Sequence, residues 1–583
     1  MKLNKKLEWL IPGLLGVIAF IFSFTGYYTY FLRHGIERNI LDVFFYSLKI
    51  FGFDIIDDYI SPLPWTLEVG RWLAPGVLVY TVAQTVVYLA HKKAMLIFNR
   101  RSNHIIVSGV NRRSMTLIVD LLENKERVLV VTQEIDDFNK MIIEKNGGVI
   151  IIGDIGNSDL LKSIAAHRAG YIVLLDEIDD RNISAAISIS GYSNSLSTSN
   201  YPIIYTHINS YLRLMEISEI GFFELFEFSG NKRSNCEIAI FSENENTARM
   251  ILHNYSPDKF RPITKKTDPA HHVAIFGSGE LAQSLASYMA RLAHYINFKN
   301  VKVTFFHENP KLEVELAHYF PGIKNLLDLS FVETDIDVFE INVFANIYKQ
   351  MPLDVVYLAF MDDELALKVF HKFFRLNFSK ALDVVMILNN PESILNRWYQ
   401  FQESHSIRLH KFNVVKETFT KEAILREDFD KLAQIAHNDY LSNLKALGKL
   451  NPENRLSHRC WKELPEVYRN QNRMQFEHLL VKLRALDCTL EPCESENEEY
   501  DFTPSKKDIE VLAKIEHRRW EADLILNGWK YGNKRDEKLK THPNIMIPYE
   551  ELPEEIKQFD RDVVLNIPKF LAQRNYKIVK LSK

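Results

Sequence analysis

The chain has 583 residues, which is too long for one hydrophobic core and, at roughly 150 residues per domain, predicts about three to five domains. Its 71 lysines and arginines nearly balance 75 aspartates and glutamates. Without a basic stripe carrying interleaved aromatics, this balance argues against a nucleic-acid partner. The four cysteines lack the spacing of a zinc site, so we expect reduced thiols and no metal centre.

Two long uncharged stretches near the N-terminus predict a transmembrane helical hairpin within residues 1–98. They cover residues 9–30 and 72–90, and each is long enough to cross a hydrocarbon core of about 30 Å. Lysines and arginines flank the outer end of each stretch, so the positive-inside rule predicts a plasma (inner) membrane protein with both termini cytoplasmic. A hairpin buried in a soluble core is the alternative.

The segment between the two stretches is amphipathic and aromatic, which is compatible with a short re-entrant pore helix. Its "FGFD" run, which contains Gly52, Phe53 and Asp54, resembles the end of a potassium-channel filter. Such filters use glycines to point backbone carbonyls at the ion, and Asp54 stands in place of the second glycine. Potassium selectivity therefore does not follow, and an interfacial helix that only links two anchors is the alternative.

Short apolar runs alternate with helix-length segments after residue 100, which predicts two α/β Rossmann-like domains with parallel sheets. The first set is "HIIVSG", "RVLVV", "GVIII", "YIVLL", "PIIYT" and "EIAIF", and the second is "HVAIFG", "VKVTFF", "LSFVE", "VVYLAF" and "VVMIL". These sets place the domains at residues 103–255 and 271–415.

The first turn of each domain is a candidate nucleotide site. In the second domain, Gly277 and Gly279 would let a pyrophosphate approach a helix N-terminus, and Glu308 follows the next strand, where a carboxylate can bind ribose hydroxyls. The first domain retains Gly109, but Asn111 stands at a position usually held by a small residue. We expect an NAD- or ATP-like nucleotide or dinucleotide, with a Rossmann fold kept only for assembly as the alternative.

The stretch "GGVIIIGDIGNSDLLKSIAAHRAGYIVLLDEIDDRNISAA" resembles the regulator of potassium conductance (RCK) domain, also called the TrkA-N domain. The resemblance includes a Gly-Asp pair after the third strand, which assigns Asp154 to the cofactor site. It implies nucleotide or ion binding, assembly as a homo-oligomer (dimer or tetramer), and transmission of force to a two-span pore.

The C-terminal region matches itself twice in the same order. "LAQIAHNDY" matches "LAKIEHRRW", and "WKELPEVYRNQNR" matches "YEELPEEIKQFDR", with an acidic linker between the copies. We therefore predict helical repeats at residues 429–487 and 507–583. The second repeat, through "HRRWEADLILNGWKYG" and "KTHPNIMIPYEELPEEIKQFDRD", resembles the ryanodine-receptor (RyR) repeat; the first keeps only the frame.

Polar aromatic residues make the second repeat a candidate ligand site. The residues are Trp520, Trp529, Tyr531, Lys540, His542 and Tyr549. Aromatic faces beside charged groups suit a base and ribose, although the same aromatics are typical of a small helical core. The resemblance implies sensing of a nucleotide-derived signal in antiviral defence. This resemblance favours a ligand site over a purely structural role for these aromatic residues.

Together these patterns predict a ligand-gated, ion-channel-like membrane effector, with the lipid membrane and a nucleotide-like molecule as partners. The alternative is a non-conducting, nucleotide-sensing regulatory subunit of a cation transporter. We do not expect an enzyme, because the sequence contains no nucleophile elbow, Walker loop or HExxH motif.

Overall fold

The structure is a computed structural model. It describes residues 5–55, 60–196, 202–209, 236–338, 340–374, 376, 378, 380–389, 406–425, 427–453, 455–493, 504–572 and 576–580. The chain divides into two compact units, Met1–Asn99 and Arg100–Lys583.

The first unit is helical. Its helices are Lys5–Arg33, Ile40–Lys49 and Trp65–Asn99, with a 3-10 turn at Ile50–Gly52. Among the described residues, one helix segment, Leu10–Arg33, is long and apolar enough to cross a membrane. The second predicted span also lies in a helix, Trp65–Asn99, and its crossing of a membrane stays a prediction.

Small residues bring the two long helices into close contact. A Cβ added to Gly26 would lie 2.6 Å from backbone atoms of Leu67, and one added to Gly70 would lie 2.5 Å from Ser23 Oγ. Small residues at these positions let the helix backbones approach each other, as is common in membrane helix pairs.

Two six-stranded sheets form the centre of the second unit. The first contains β1 (His104–Ser108), β2 (Val128–Thr132), β3 (Val149–Ile152), β4 (Ala169–Leu174), β5 (Ile203–His207) and β6 (Glu237–Phe241). The second contains β7 (His272–Phe276), β8 (Val301–His307), β9 (Leu327–Glu333), β10 (Val355–Leu358), β11 (Leu382–Leu388) and β12 (Ile407–Asn413).

Both sheets are parallel and have the same strand order. The first runs β3-β2-β1-β4-β5-β6, and the second runs β9-β8-β7-β10-β11-β12, which is the Rossmann order in each case. Two parallel Rossmann-like domains are therefore confirmed. The strands β1, β2, β7 and β11 are buried at every residue, so their side chains form the centre of each core.

Helices cover the sheets and connect the two domains. In the first domain, the helices that alternate with strands β1 to β5 are Arg112–Glu123, Asp137–Lys145, Ser158–Ser163 and Asp179–Asn194. The helices that connect the two domains are Glu243–Tyr255 and Pro257–Phe260. The second domain contains Glu280–Leu292, Leu312–Tyr319, Ile323–Leu326, Ile341–Gln350 and Asp363–Phe373, and then Val414–Thr418 and Lys421–Leu425.

The C-terminal region contains two copies of one arrangement, here called repeat 1 and repeat 2. Repeat 1 contains helix Glu427–Ala446, the 3-10 turns Leu456–His458 and Trp461–Glu463, helices Glu466–Glu477 and Leu479–Arg484, and β13 (Cys488–Pro492). Repeat 2 contains helix Lys506–Leu526, β14 (Lys530–Tyr531), β15 (Thr541–His542), the 3-10 turn Tyr549–Glu551, helices Glu554–Leu565 and Ile567–Ala572, and β16 (Tyr576–Lys580).

The repeats join through an antiparallel ladder between β13 and β16, in which Leu490 pairs with Ile578. From the second 3-10 turn of repeat 1 to its final strand, each element precedes its counterpart in repeat 2 by a constant offset. The internal duplication therefore extends to three-dimensional structure, and each copy contributes a strand that the helical pattern did not predict.

Candidate functional site in repeat 2

Repeat 2 differs from repeat 1 in the loop after its long helix. The helix Lys506–Leu526 ends before Gly528, whose φ of +81° is a conformation that favours glycine. The chain then forms the parallel β14–β15 pair, in which Lys530 pairs with Thr541 and Tyr531 with His542. Gly528 thus turns the segment after the helix back toward the loop that contains His542 and Pro543.

Five ring side chains form a continuous row, here called the aromatic row, in the order Tyr549, His517, Trp520, His542 and Trp529. The distances between successive ring centroids are 5.8, 5.3, 5.1 and 6.3 Å. The structure therefore brings four of the six predicted ligand residues together and adds His517. Rings at such separations interact favourably and can also stack on a planar ligand.

The first three rings of the row have counterparts in repeat 1. His437 lies 6.2 Å from Tyr440 and 6.1 Å from Trp461, as measured between ring centroids. In both copies the histidine Nε2 also lies against a backbone carbonyl, at 2.7 Å for His437 and 3.1 Å for His517. Conservation of this geometry between the copies supports a packing role for these positions.

His542 and Trp529 belong to the loop that distinguishes repeat 2, and the guanidinium of Arg535 lies over the ring of Trp529. Its Cζ lies 5.6 Å from the centroid of Trp529. Arg535 also donates to the hydroxyl of Tyr468 at 3.0 Å and to Glu537 at 2.9 Å. Because Tyr468 belongs to repeat 1, this end of the row lies at the boundary between the repeats.

The surroundings of His542 are electropositive. Burial lowers the pKa of His542 to about 4, and the positive charges of Arg535, His517 and Arg455 add to this effect. Burial alone would also lower the pKa of His517, but its contact with the Asp560 carboxylate at 3.0 Å outweighs burial and raises it. A row of rings beside such a field suits an anion that carries a planar group.

Arg455 is a residue that sequence reasoning missed. It is exposed and lies in a loop of repeat 1 rather than in the matched repeat 2, and its positive charge contributes to the lowered pKa of His542. The sequence gives no local signal for it, because the proximity arises only when the two repeats pack together.

The remaining predicted ligand residues lie at the edges of the row. Tyr531 is 51% exposed. Lys540 has a φ of +48° and accepts the Lys530 amide hydrogen bond through its carbonyl at 2.9 Å. At the other end, the buried hydroxyl of Tyr549 has no hydrogen-bond partner in the described part of the chain, and burial raises its pKa.

The glycine turn of the second sheet is open. Gly277 has a φ of +126°, and a Cβ there would lie 2.4 Å from the Ala359 carbonyl oxygen, so only glycine fits. Gly279 is the N-cap of helix Glu280–Leu292 without a side-chain cap, and a Cβ there would contact nothing within 4 Å. The strand, turn and helix predicted for a phosphate site are present.

Glu308 follows the strand next to this turn, and one of its carboxylate oxygens already accepts a hydrogen bond from the protein. Its Oε1 accepts a hydrogen bond from the amide of Ile336 at 2.7 Å. It shares an open depression with Glu333, Asp335 and Asp337. A neutral ribose is compatible with this acidic rim, whereas a phosphate would have to lie on the helix side, near Gly279.

The corresponding turn of the first sheet is closed by its own side chain. The Asn111 Oδ1 accepts hydrogen bonds from the amides of Arg113 and Ser114, each at 3.0 Å, and thereby occupies the start of helix Arg112–Glu123. Its Nδ2 donates to the Leu175 carbonyl at 2.6 Å. The "NRRS" sequence is a capping box, a signal that could have been recognised in the sequence.

Charged side chains near the turn of the first sheet already have protein partners. Arg113 forms an ion pair with Glu243, and Arg112 donates to the Asn389 carbonyl. Gly109 has a φ of +90°, and Asp154 accepts a hydrogen bond from the Gly156 amide at 2.9 Å. These contacts favour the second sheet over the first as the nucleotide site.

The pore candidates lie at a helix end in the first compact unit. Gly52 ends the 3-10 turn, Phe53 has a φ of +65°, and Asp54 forms an ion pair with Lys49 at 2.8 Å. The predicted short helix before them is present as Ile40–Lys49. Assignment of a pore to these residues stays a prediction.

Two domain families match parts of the chain: the TrkA-N domain over residues 105–214 and the RyR domain over residues 503–580. The RyR match contains the whole aromatic row, and the TrkA-N match begins in the first strand of the first sheet.

Solved structures similar to this chain include two of GsuK and one of the human SLO3 gating ring. A crystal structure of GsuK bound to ADP is 14% identical in sequence, with a TM-score of 0.34. The match covers 71% of this chain and 95% of the GsuK chain. The GsuK channel bound to NAD is 13% identical, with a TM-score of 0.34, and the match covers 73% of this chain and 86% of the GsuK chain. The human SLO3 gating ring is 11% identical, with a TM-score of 0.34, and the match covers 53% of this chain and 80% of the SLO3 chain.

Proposed function

We propose that the chain is a membrane-anchored, ligand-gated, ion-channel-like effector that detects a nucleotide-derived small molecule and acts in antiviral defence. The proposal includes two spans, cytoplasmic termini, assembly as a homo-oligomer, and no enzymatic activity. The observation that carries it is the aromatic row, which ends in an electropositive region at the boundary between the repeats.

The row supports a ligand role because it combines two recognition chemistries. A base can stack on Trp529 or lie edge-on to His542, and such stacking contributes about 1 to 3 kcal/mol per base. A phosphate or ribose-phosphate would lie near Arg535 and Arg455, which belong to different repeats. A ligand held between the repeats can favour one of two arrangements, as gating requires.

Mass spectrometry of small molecules released from the purified full chain tests the proposal. We expect a nucleotide-derived molecule from the wild type and its loss from Trp529→Ala. Leu539→Ala is the matched control, because Leu539 is an exposed residue of the same loop. Equal release from all three proteins would place the ligand elsewhere, and release of nothing nucleotide-like would contradict the proposal.

Bilayer recording with the released molecule separates the two functional alternatives. Ligand-dependent currents support the effector, and replacement of Asp54 by Asn should change their ion selectivity if the segment after helix Ile40–Lys49 lines the pore. Silence with the ligand bound would favour the regulatory subunit of a cation transporter.

A further inference from the structure

The short helix Ile40–Lys49 in the first compact unit is apolar on two sides. Its inner side packs on the unit through the buried residues Val43 and Ser47. Its other side carries five large apolar side chains, here called the outer stripe: Ile40, Leu41, Phe44, Phe45 and Leu48. At 3.6 residues per turn these positions span one arc of about 140°. They are 47% to 74% exposed in the single chain, so the outer stripe needs a cover other than water.

One ring contact places this helix deep beside the first long helix. The ring centroids of Phe44 and Phe20 lie 5.1 Å apart, edge to face. Phe20 lies well inside the apolar segment Leu10–Arg33, about 20 Å from its charged end at 1.5 Å per residue. A hydrocarbon core is about 30 Å thick, so Phe44 lies near its middle when Leu10–Arg33 spans the membrane.

Polar groups near the helix ends have local partners, whereas the outer stripe contains none. Lys49 Nζ forms an ion pair with Asp54 at 2.8 Å and lies 5.8 Å from the ring centroid of Phe45. At the other end, Asn39 Oδ1 accepts a hydrogen bond from the Asp42 amide at 2.8 Å. The stripe therefore offers nothing to water or to lipid headgroups, and its surroundings must be apolar.

Side-chain size distinguishes lipid from protein as the cover. Where the two long helices of this unit meet, Gly26, Gly70 and Ser23 allow close approach of the backbones. The outer stripe contains no glycine, alanine or serine that would let a neighbouring helix approach in the same way. Large side chains without a small residue between them suit fluid acyl chains, which pack against them without close backbone contact.

We propose that the outer stripe is a lipid-contact surface that lies against acyl chains near the middle of the bilayer. This inference rests on the membrane anchoring proposed above. It assigns lipid, rather than a second copy of the chain, as the partner of helix Ile40–Lys49. Contacts between copies of the chain are then made elsewhere.

Nitroxide labelling of the full chain in phosphatidylcholine nanodiscs tests the proposal. Leu41→Cys and Phe45→Cys carry the label on the outer stripe, in a chain in which Cys460 and Cys493 are replaced by serine and the two buried cysteines are retained. Collision of the label with oxygen, which dissolves in hydrocarbon, is compared with collision with a water-soluble nickel chelate.

Two labelled controls calibrate the measurement. Val17→Cys, at an exposed site of helix Lys5–Arg33, reports the hydrocarbon, and Leu447→Cys, at an exposed site of repeat 1, reports water. Both stripe labels should match Val17→Cys in oxygen collision, and they should meet the nickel chelate at least about tenfold less often than Leu447→Cys does, because a polar chelate is excluded from hydrocarbon. Thermal melting verifies that each labelled variant folds.

The other outcomes overturn the proposal in distinguishable ways. Exclusion of both reagents from the stripe labels, with Val17→Cys oxygen-rich, would mean that a second copy covers the stripe. Nickel collision at the stripe alone would place the helix in water while the membrane anchor stands. Nickel collision at Val17→Cys as well would contradict the membrane anchoring itself.

Discussion

His517 and His542 lie on opposite sides of Trp520, and their pKa values shift in opposite directions. Burial would lower the pKa of His517, but the Asp560 carboxylate outweighs burial and raises it. His517 therefore stabilises the fold below about pH 6.5, and this stabilisation is lost as pH rises through the pKa of the folded state. Burial and nearby cations lower the pKa of His542 to about 4. The contribution of neutral His542 to the stability of the fold is present above about pH 6.5 and is lost as pH falls toward 4.

Replacing His542 with Gln should therefore reduce the acid sensitivity of repeat 2. In the wild type, proton uptake by the unfolded chain at this residue lowers the free energy of unfolding by about 2 kcal/mol between pH 7 and pH 5. Hydrogen exchange of repeat 2 at both pH values measures the difference. His318→Gln, at an exposed residue of the second sheet domain, should leave the exchange of repeat 2 unchanged; an identical acid response in H542Q and wild type would contradict the assignment.

Arg455 should contribute to ligand binding without contributing to folding. Its side chain is exposed, and its positive charge acts on His542. We expect Arg455→Gln to lower the amount of nucleotide-derived ligand retained by the full chain, through a loss in affinity of about tenfold, or 1.4 kcal/mol. Its thermal midpoint should match that of the wild type. A lower midpoint with unchanged ligand retention would instead indicate a structural role.

The two glycine turns differ in whether the start of the following helix is open. At Gly279 a Cβ has open space, whereas at Asn111 the side chain fills the corresponding helix start. Gly279→Asp should therefore abolish nucleotide retention by the second sheet, because it adds a negative charge where phosphate would lie, and should alter stability by less than about 1 kcal/mol.

Two control variants separate loss of nucleotide binding from loss of stability. Asn111→Ala removes a helix cap at a cost of about 1 kcal/mol and should leave nucleotide retention unchanged. Gly277→Ala should fail to fold well, because its Cβ would clash with the Ala359 carbonyl at a positive φ. Equilibrium dialysis with NAD and with ADP, followed by thermal melting, distinguishes the three variants. Retention by G279D at the wild-type level would exclude this site.

The contact between the two long N-terminal helices should depend on Gly26. A Cβ at this position would overlap backbone atoms of Leu67, whereas one at Gly13 on the same helix would contact nothing within 4 Å. Gly26→Ala should lower the thermal midpoint of the first unit in detergent, and Gly13→Ala should not. Equal midpoints for the two variants would show that the helices do not approach this closely.

Elements could be predicted from sequence where one physical pattern dominates. The strand Val128–Thr132 is buried at every residue, so its apolar run is unbroken and the sequence predicts it. In contrast, β12 lies at a sheet edge and carries Arg408, His410 and Lys411, so its polar pattern does not indicate a strand. Strand β13 acquires its partner only through folding, because β16 lies far along the chain.

The candidate site was predictable to the extent that it is local. Trp520, Trp529 and His542 belong to one repeat with a distinctive sequence, and the structure places them in one row. Arg455 and Tyr468 come from the other repeat, so only the packing of the two copies brings them to the site. A boundary between domains is formed by long-range contacts, which motif spacing cannot encode.

At the scale of the whole second unit, one helix connects the aromatic row to the rest of the molecule. Helix Lys506–Leu526 presents His517 and Trp520 to the row, and its Asp523 lies 3.4 Å from Arg291 of the second sheet domain. The same helix carries Glu516, which is buried between Lys482 of repeat 1 and Arg519, with an oxygen 2.7 Å from Arg519 Nη2. A ligand-induced shift of this helix would therefore act on both neighbours.

The buried ion cluster at Glu516 should be needed for the repeats to hold together. Burial would raise the pKa of Glu516, but the charges of Arg519 and Lys482 outweigh it and hold the pKa low, so the carboxylate is ionised at neutral pH. Glu516→Gln leaves two buried cations without a counter-charge and should destabilise the repeats by about 3 kcal/mol or more.

Glu510→Gln is the matched control on the same helix, because Glu510 pairs with Arg561 at the surface, where the loss should stay below about 1 kcal/mol. Urea unfolding followed by hydrogen exchange of repeats 1 and 2 compares the two variants. The cluster joins the copies only if E516Q exposes amides in both repeats together. Loss of protection confined to repeat 2 would mean that the β13–β16 ladder alone holds repeat 1 in place.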